Sequence, residues 1–203
     1  MTLSLICTEL LKVPKQQFYM TIKAYCLYKN GKEQEAKDLL NEIKGTGNRD
    51  PVAIKYHSFI YTEMQQNEKA VEILEGGLNQ HPQHRELGDQ LFFAYVRSNE
   101  KLLKQQNKAL DLYKEHQDVI YAQWAVESMF HISLSLKFKT KILDIAYLLL
   151  LKLMKEPGFE VDYHFVRLYI KVLAQQSKYK EALDFMGLQQ QFFEDRKMEK
   201  QMT

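Results

Sequence analysis

Few residues of this chain have the types and spacing that chemistry requires, and the first group is the turn Gly45-Thr46-Gly47. Such turns bind phosphates when they connect a strand to the N-terminus of a helix. Acetyl-CoA-binding acetyltransferases carry Arg or Gln three residues before the turn, whereas Glu42 stands there in this chain and would repel a pyrophosphate. No strand pattern precedes the turn. We therefore interpret this segment as a loop, and no cofactor is expected to bind to the chain.

The histidines are the second group with chemical potential. His81 and His84 lie in the segment HPQH at a helix boundary, without a third ligand nearby, whereas a structural zinc site needs four ligands. We interpret the remaining histidines as packed or solvated. No Ser, Cys or Thr lies in a nucleophile motif, and no carboxylate pair has a defined partner. The sequence predicts a protein that is not an enzyme and has no catalytic or metal-binding residues.

Composition is consistent with a folded, helical protein. The chain has 203 residues, of which 45% are hydrophobic and 27% charged, with 8 Gly and 4 Pro. This balance is ordinary for a globular protein, and the scarcity of turn residues favours helices joined by short loops. The net charge of +2 implies no global attraction to nucleic acid.

The cysteines and the apolar segments indicate in which cellular compartment the protein is expected. Cys7 and Cys26 both lie in apolar helical patterns, which favours buried, reduced thiols. The N-terminal segment has neither the basic start nor the small-residue cleavage site of a signal peptide. The longest apolar run, IAYLLLLKLM, is too short to span a bilayer. We expect a cytoplasmic protein without a membrane partner.

A repeat organises the elements that position all these residues. The segment GKEQEAKDLL around Ala36 matches QNEKAVEILE around Ala70, 34 residues later. That is the period of the tetratricopeptide repeat (TPR), a helix–turn–helix unit with small residues where its helices cross. A third copy, LYIKVLAQQSKYKEALDFM, places Ala182 in the same position, with a less regular region between.

The predicted fold class is therefore all-α, an α-solenoid of about five TPR-like helical hairpins. Asp50 and Pro51 predict the start of a helix, because they supply an N-cap and a first-turn proline. We expect residues 1–203 to form a single TPR-like superhelical domain. Both ends look incomplete as solenoid ends, which favours a part of a longer solenoid or an assembly.

The first helix of each hairpin is expected to line the binding groove of such a solenoid. Its groove-facing positions are predicted to be occupied by Phe18, Thr21, Tyr25, Tyr28, Val52, Lys55, Phe59, Thr62, Glu86, Asp89, Phe93 and Val96. We predict that Tyr25, Tyr28, Phe59 and Phe93 line one strip. Two interpretations stay open here: these rings pack between neighbouring helices, or they bind a partner helix or another protein.

Basic residues form two local groups. Candidates for a basic surface are Lys12, Lys15, Lys137, Lys139 and Lys141. A solvated surface is the simpler interpretation. If these residues faced one way, they would contact RNA phosphates in a salt-dependent manner.

The order of motifs resembles one family. The segments LYKNGKEQEA, LFFAYVR, ALDLYK, YAQWAVESM and LYIKVLAQQSKYKEALDF follow one another as in the N-terminal repeats of the auxiliary subunit of NatB, an N-terminal acetyltransferase complex. The similarity covers residues 3–186. Its most specific part is LFFAYVR, ALDLYK and a Trp-bearing helix, since this spacing departs from the generic repeat.

The resemblance implies a non-catalytic scaffold that supports a NatB-type catalytic subunit and its association with the ribosome. Acetyl-CoA would then belong to the catalytic partner. The family's auxiliary subunit is much longer than this chain, and it contributes no catalytic residue. The alternative is an unrelated TPR-type adaptor in trafficking or RNA processing.

Overall fold

The computed structural model describes residues 17–45, 50–98, 101–135 and 139–201; the side chains of residues 135, 139 and 191–201 are not described. All regular elements in these ranges are α-helices, which confirms the all-α prediction. The chain divides into two compact units, residues 1–101 and 102–203. Whether they form one continuous superhelical domain stays a prediction.

The first unit contains the helices α1 (Gln17–Lys29), α2 (Glu33–Gly45), α3 (Pro51–Glu63), α4 (Asn67–Gln80) and α5 (Arg85–Arg97). Within it, α1 packs on α2 and α3 packs on α4 as consecutive hairpins. The first helices also pack side by side, α1 against α3 and α3 against α5. This is the arrangement of a TPR-like solenoid, and it places one face of each first helix in a common row.

The predicted helix start at Asp50 is confirmed. Its side chain accepts a hydrogen bond from the Val52 N–H at 2.9 Å, and Pro51 is the first residue of α3. Pro tolerates this position because its missing N–H would have no partner within the helix. The sequence signal and the local structure therefore agree at this boundary.

The turns inside three hairpins share a left-handed residue and an equivalent backbone hydrogen bond. Gly31, Gln65 and Ser177 all have a left-handed backbone, with φ of +78°, +58° and +61°. In each turn the next residue's N–H donates back to the first helix: Lys32 to the Leu27 carbonyl at 3.0 Å, Gln66 to Tyr61 at 2.8 Å, and Lys178 to Leu173 at 2.9 Å. Only glycine adopts this conformation without steric cost, so the geometry is imposed by the hairpin at Gln65 and Ser177.

The small residues at the predicted helix crossings are buried. Ala36 and Ala70 are completely buried, and Ala182 is 6% exposed. Around Ala70 the core includes Leu40, Ile60 and Tyr61, which come from α2 and α3. A second core cluster joins the other side of α4 to α5 through contacts that include Val71, Leu74, Leu87 and Leu91.

The second unit contains α6 (Leu102–His116), α7 (Val119–Ser135), α8 (Lys139–Leu153), α9 (Tyr163–Gln175) and α10 (Tyr179–Gln201). Consecutive helices pack on one another, and α7 also packs on α9. Their shared core includes Val126, Leu150, Phe165 and Val172. Trp124 packs edge to face on the buried ring of Tyr121, with the ring centroids 5.1 Å apart.

Helix α10 differs from its counterpart α4 in one respect. When Ala182 is aligned with Ala70, Leu183 and Met186 take the positions of Val71 and Leu74. Val71 and Leu74 are at most 2% exposed because they pack against α5. In contrast, Leu183 is 67% exposed and Met186 is 47% exposed. In the described part of the second unit, no helix covers this face of α10. The described helices include none that combines the length and apolarity needed to cross a membrane.

Two adjacent glycines of α4 provide a test of this packing. A Cβ at Gly77 would lie 2.7 Å from Cγ2 of the buried Ile54, whereas one at Gly76 would meet nothing within 4 Å. Gly76→Ala should raise the free energy of unfolding by about 1 kcal/mol, since Ala has the higher helix propensity. Gly77→Ala should lower it by about 1–3 kcal/mol, because Ile54 must shift in a filled core. Urea denaturation of both variants measures the difference, and equal stabilisation would contradict the α3–α4 packing.

Candidate functional site

The candidate site lies on the face shared by the first helices of the first unit. Tyr25 on α1, Phe59 on α3 and Phe93 on α5 follow one another at intervals of 34 residues. Because the three helices pack side by side, the repeat period places the three rings in one row. We call these three residues the aromatic strip.

Two rings of the aromatic strip, Phe59 and Phe93, are exposed, whereas Tyr25 is half-buried and packs against the core that includes Ile60 and Ala70. The centroids of Tyr25 and Phe59 lie 5.9 Å apart with the planes tilted by 51°. Phe59 and Phe93 are each 42% exposed. Solvent-accessible aromatic rings in a row are unusual for a surface without a binding role, because isolated exposed apolar residues are normal but contiguous ones are not.

A cavity of about 330 Å³ separates Phe59 from Phe93. We call it the strip cavity. Its apolar lining comes from the two rings together with Leu74 and Ala94, and its polar lining includes Gln90. The volume falls in the range of small binding pockets and can admit one large apolar side chain.

Hydrogen bonds fix part of the polar lining. The Ser58 hydroxyl donates to the Lys55 carbonyl at 2.8 Å and lies 3.3 Å from Gln90 Oε1. The Thr62 hydroxyl donates to the Ser58 carbonyl at 3.0 Å. The Gln90 carbonyl oxygen is therefore within reach of the Ser58 hydroxyl, whereas its amide N–H groups have no partner within the described residues.

A series of charges runs beside the aromatic strip with the same period. Lys29, Glu63 and Arg97 are also 34 residues apart, each in the last turn of its helix. Lys29 Nζ lies 2.7 Å from Glu63 Oε2, and this hydrogen bond raises the pKa of Lys29. Glu63 and Arg97 both line the strip cavity. Among the described residues, Arg97 has no ion-pair partner.

A second ion pair lies elsewhere on α3 and α5. Lys55 Nζ lies 2.8 Å from Glu86 Oε2, and the hydrogen bond from Lys55 lowers the pKa of the Glu86 carboxyl. Each of these two lysines is therefore neutralised by a carboxylate of the next first helix. The face is an aromatic row with balanced charges, except at Arg97.

Tyr28 and Thr21, two of the predicted groove residues, make hydrogen bonds to backbone carbonyls. Tyr28 is half-buried, and its hydroxyl donates to the Glu63 carbonyl at 3.1 Å, so it connects α1 to the end of α3. Thr21 was expected to face the groove, and this is wrong. It is completely buried, and its hydroxyl donates to the Gln17 carbonyl at 2.8 Å one turn earlier. The partner-binding role of Tyr25, Tyr28, Phe59 and Phe93 stays a prediction.

Most of the candidate basic surface cannot be placed. Lys12, Lys15 and Lys137 lie outside the described residues, and Lys139 begins α8 without a described side chain. Lys141 is exposed on α8. Of the glycine turn, Gly45 is the last residue of α2, and Thr46 and Gly47 lie outside the described ranges.

The histidines have local roles. His84 precedes α5, and its Nδ1 accepts a hydrogen bond from the Leu87 N–H at 3.4 Å. His131 and His164 are exposed. Within the described ranges, His, Cys, Asp and Glu form no group of three that could hold a metal ion.

His57 is the exception, because it is completely buried. Its ring stacks on Tyr61 at 5.1 Å, and neither nitrogen has a hydrogen-bond partner in the described part of the chain. Burial, with a smaller effect from the charge of Lys44, lowers the pKa of His57 to about 4. The folded protein therefore holds a neutral imidazole at neutral pH.

Arg97 and Gln90 were not among the residues predicted from sequence. The available signal was the period, because Arg97 repeats the position of Lys29 and Glu63. The change of sign along that series was visible in the sequence. Which members pair with each other was not.

Comparisons with known proteins agree with this architecture. The family model described as the Psidin N-terminal TPR repeats region matches residues 3–203. The N-alpha-acetyltransferase 25, NatB auxiliary subunit of Mus musculus is 31% identical over 167 residues, which cover 80% of this chain and 17% of that protein. The phagocyte signaling-impaired protein of Aedes aegypti is 28% identical over 181 residues, covering 86% of this chain and 19% of the relative. These matches confirm the resemblance expected from the motifs.

A solved structure supports the fold alone. The crystal structure of a tetratricopeptide repeat protein from Parabacteroides merdae has a TM-score of 0.56 and 13% identity, covering 91% of this chain and 68% of that one. The chain spans less than one fifth of the length of the curated relatives described above.

The buried His57 predicts a stability change with pH. Its pKa is about 4 in the folded protein and near the ordinary 6.5 in the unfolded chain, so the unfolded chain binds the proton first as the pH falls. This contribution to stability is complete above about pH 6.5 and is lost between about pH 6.5 and 4, by roughly 3 kcal/mol at most. His57→Phe should remove it. Urea denaturation at about pH 7.5 and 4.5 should therefore show a smaller loss for His57→Phe than for wild type.

The control for this experiment is His164→Phe, since His164 is exposed on α9. It should retain the wild-type loss of stability. An unchanged pH dependence in His57→Phe would contradict a buried, neutral imidazole.

Proposed function

This chain belongs to the family of the Psidin N-terminal TPR repeats region, and on this premise we propose that it is a non-catalytic scaffold for the acetyltransferase subunit of a NatB-type complex. The aromatic strip carries the proposal, because exposed aromatic residues in a row form the kind of surface on which interface hot spots concentrate. The names of the mouse and other relatives supply the identity of the proposed partner.

The chemistry of this face suits binding a partner and not catalysis. The strip cavity is lined by aromatic, aliphatic and amide groups, with one ion-paired carboxylate and one arginine. A surface of this kind can hold a partner's side chains but offers no paired nucleophile and base. In the proposed complex, acetyl-CoA is bound by the catalytic subunit, and this chain contributes binding surface.

The proposal extends to the location of the complex. A NatB-type complex that acts on nascent chains would operate in the cytoplasm beside the ribosome. Lys141 is the one described residue of the candidate basic surface whose side chain can be placed, and it is exposed. A ribosomal contact through this region would weaken steeply as the salt concentration rises, because it would depend on phosphate neutralisation.

Affinity purification of the tagged chain, followed by mass spectrometry, tests the proposal. We expect a small N-terminal acetyltransferase to co-purify in near-stoichiometric amount. Recovery of trafficking or RNA-processing proteins without an acetyltransferase would instead support an unrelated TPR adaptor. A matched purification at raised salt separates a direct protein partner from ribosomes, since only the ribosomal proteins should be lost.

The aromatic strip should contribute to capture of that subunit. Tyr25→Ala combined with Phe59→Ala is expected to weaken binding at least about thirtyfold, because truncating even one hot-spot aromatic residue costs about 2 kcal/mol. The change in melting temperature should be small by comparison, since Phe59 is 42% exposed. Titration calorimetry with the purified catalytic subunit measures the first effect and thermal denaturation the second.

The matched control removes two exposed apolar residues from the second unit, Ile145 and Tyr163, which are 55% and 75% exposed. This variant should bind like wild type. If the strip variant instead unfolds readily and its folded fraction binds normally, the three rings belong to the packing between helices and not to a binding surface.

A further inference from the structure

The strip cavity has an unequal balance of hydrogen-bond donors and acceptors. The Ser58 and Thr62 hydroxyls donate to backbone carbonyls, and Gln90 Oε1 lies within reach of Ser58. The acceptor carboxylate in the lining, Glu63, is paired with Lys29, and the polar groups left without a partner among the described residues are the Arg97 guanidinium and the Gln90 amide N–H groups. Both are donors. A bound partner would therefore have to supply acceptors.

The ion pairs on this face lead to the same requirement for acceptor groups in the partner. Glu63 is paired with Lys29, and Glu86 is paired with Lys55. Arg97 lines the cavity as a cation without a carboxylate among the described residues. An arginine in this state binds a carboxylate in two parallel hydrogen bonds, which gives both strength and orientation.

Arg97 also lines a second, more open depression of about 740 Å³, together with Gln66, Lys69 and Ser98. This depression lies at the N-terminus of α4, where the N-cap residue Gln66 makes no side-chain cap hydrogen bond. A helix N-terminus carries partial positive charge. The carboxylate at this depression belongs to Glu68 and is paired with Lys101, so it does not neutralise Arg97.

We propose that this face binds an acidic, apolar peptide segment of a protein partner, with a large apolar side chain in the strip cavity and a neighbouring carboxylate on Arg97. The apolar walls contributed by Phe59, Phe93 and Leu74 define the first requirement. The unpaired guanidinium beside them defines the second. This inference deepens the proposed function, because it states the chemistry of the partner at the same face.

A nucleic acid fits the face less well. Its phosphates need several unpaired cations along a path, whereas Lys29 and Lys55 are each neutralised by a glutamate. Among the described residues that line the two cavities, the cations without a paired carboxylate are Arg97 and Lys69, and Lys69 lies over the ring of Tyr61. A single carboxylate beside an apolar side chain matches that distribution.

Phage display of a random peptide library against the chain tests the inference. The wild-type chain should enrich peptides that contain a Phe, Leu or Met close to an Asp or Glu. Peptides synthesised from that selection should bind Arg97→Gln about tenfold more weakly, in keeping with the loss of a charge-assisted hydrogen bond. Selection against Arg97→Gln should no longer favour acidic residues, and selection against Phe93→Ala should no longer favour large apolar ones.

Arg167→Gln is the matched control, since Arg167 is also exposed on a first helix but belongs to the second unit. It should enrich the wild-type peptides and bind them with unchanged affinity. Thermal denaturation should show equal folding of both arginine variants, because neither side chain is buried.

Several results would overturn the inference. These are the absence of any enriched peptide, enrichment without acidic residues, or an identical selection with Arg97→Gln. Salt-dependent binding of a single-stranded RNA oligonucleotide that Arg97→Gln abolishes would assign the face to nucleic acid instead. Co-purification of an acetyltransferase with a failed peptide selection would leave the proposed function intact and reject the acidic segment; the reverse outcome would reject the acetyltransferase partner alone.

Discussion

The packing of the two helices within each hairpin, with a buried alanine at the same position of α2 (Ala36) and α4 (Ala70), constrains the rest of the first unit. Both alanines are completely buried, so a larger side chain at either position would have to displace its neighbours in a filled core. The turn must then reverse the chain within a few residues, which forces a left-handed backbone at Gly31 and again at Gln65. Because a polar, non-glycine residue takes this conformation at Gln65, the helix packing and not the local preference determines the turn.

The repetition of the hairpin also determines which residues lie next to one another on the surface. If every hairpin has the same geometry, residues one period apart lie on the same face of neighbouring helices. Tyr25, Phe59 and Phe93 therefore form a row although they are distant in sequence, and Lys29 and Glu63 come within 2.7 Å of each other for the same reason. Binding surfaces of solenoids are built in this way from single positions of successive repeats, so one substitution at such a position changes one point along a continuous groove.

The two ion pairs bear on the kind of partner that we propose for this face. Each pair consumes a lysine that would otherwise attract any polyanion, and exposed pairs of this kind add little to stability. In the proposed complex their effect would be on specificity, because they leave an apolar row with Arg97 unpaired among the described residues. A partner would then be selected by the combination of a ring or aliphatic side chain with an acceptor at the correct spacing, which is a stricter requirement than net charge.

The sequence by itself determined the helical class, the period and the local signals, because these depend on neighbouring residues. The N-cap at Asp50, the crossing alanines and the family resemblance are of this kind, and each agrees with the structure or the comparisons. The burial of Thr21 and the hydroxyl contact of Tyr28 with α3 were decided by the tertiary structure alone. So were the neutral state of His57 and the absence of a partner for Arg97 among the described residues. Burial and ion pairing depend on which side chains meet from helices far apart in the chain, and periodicity does not specify those contacts.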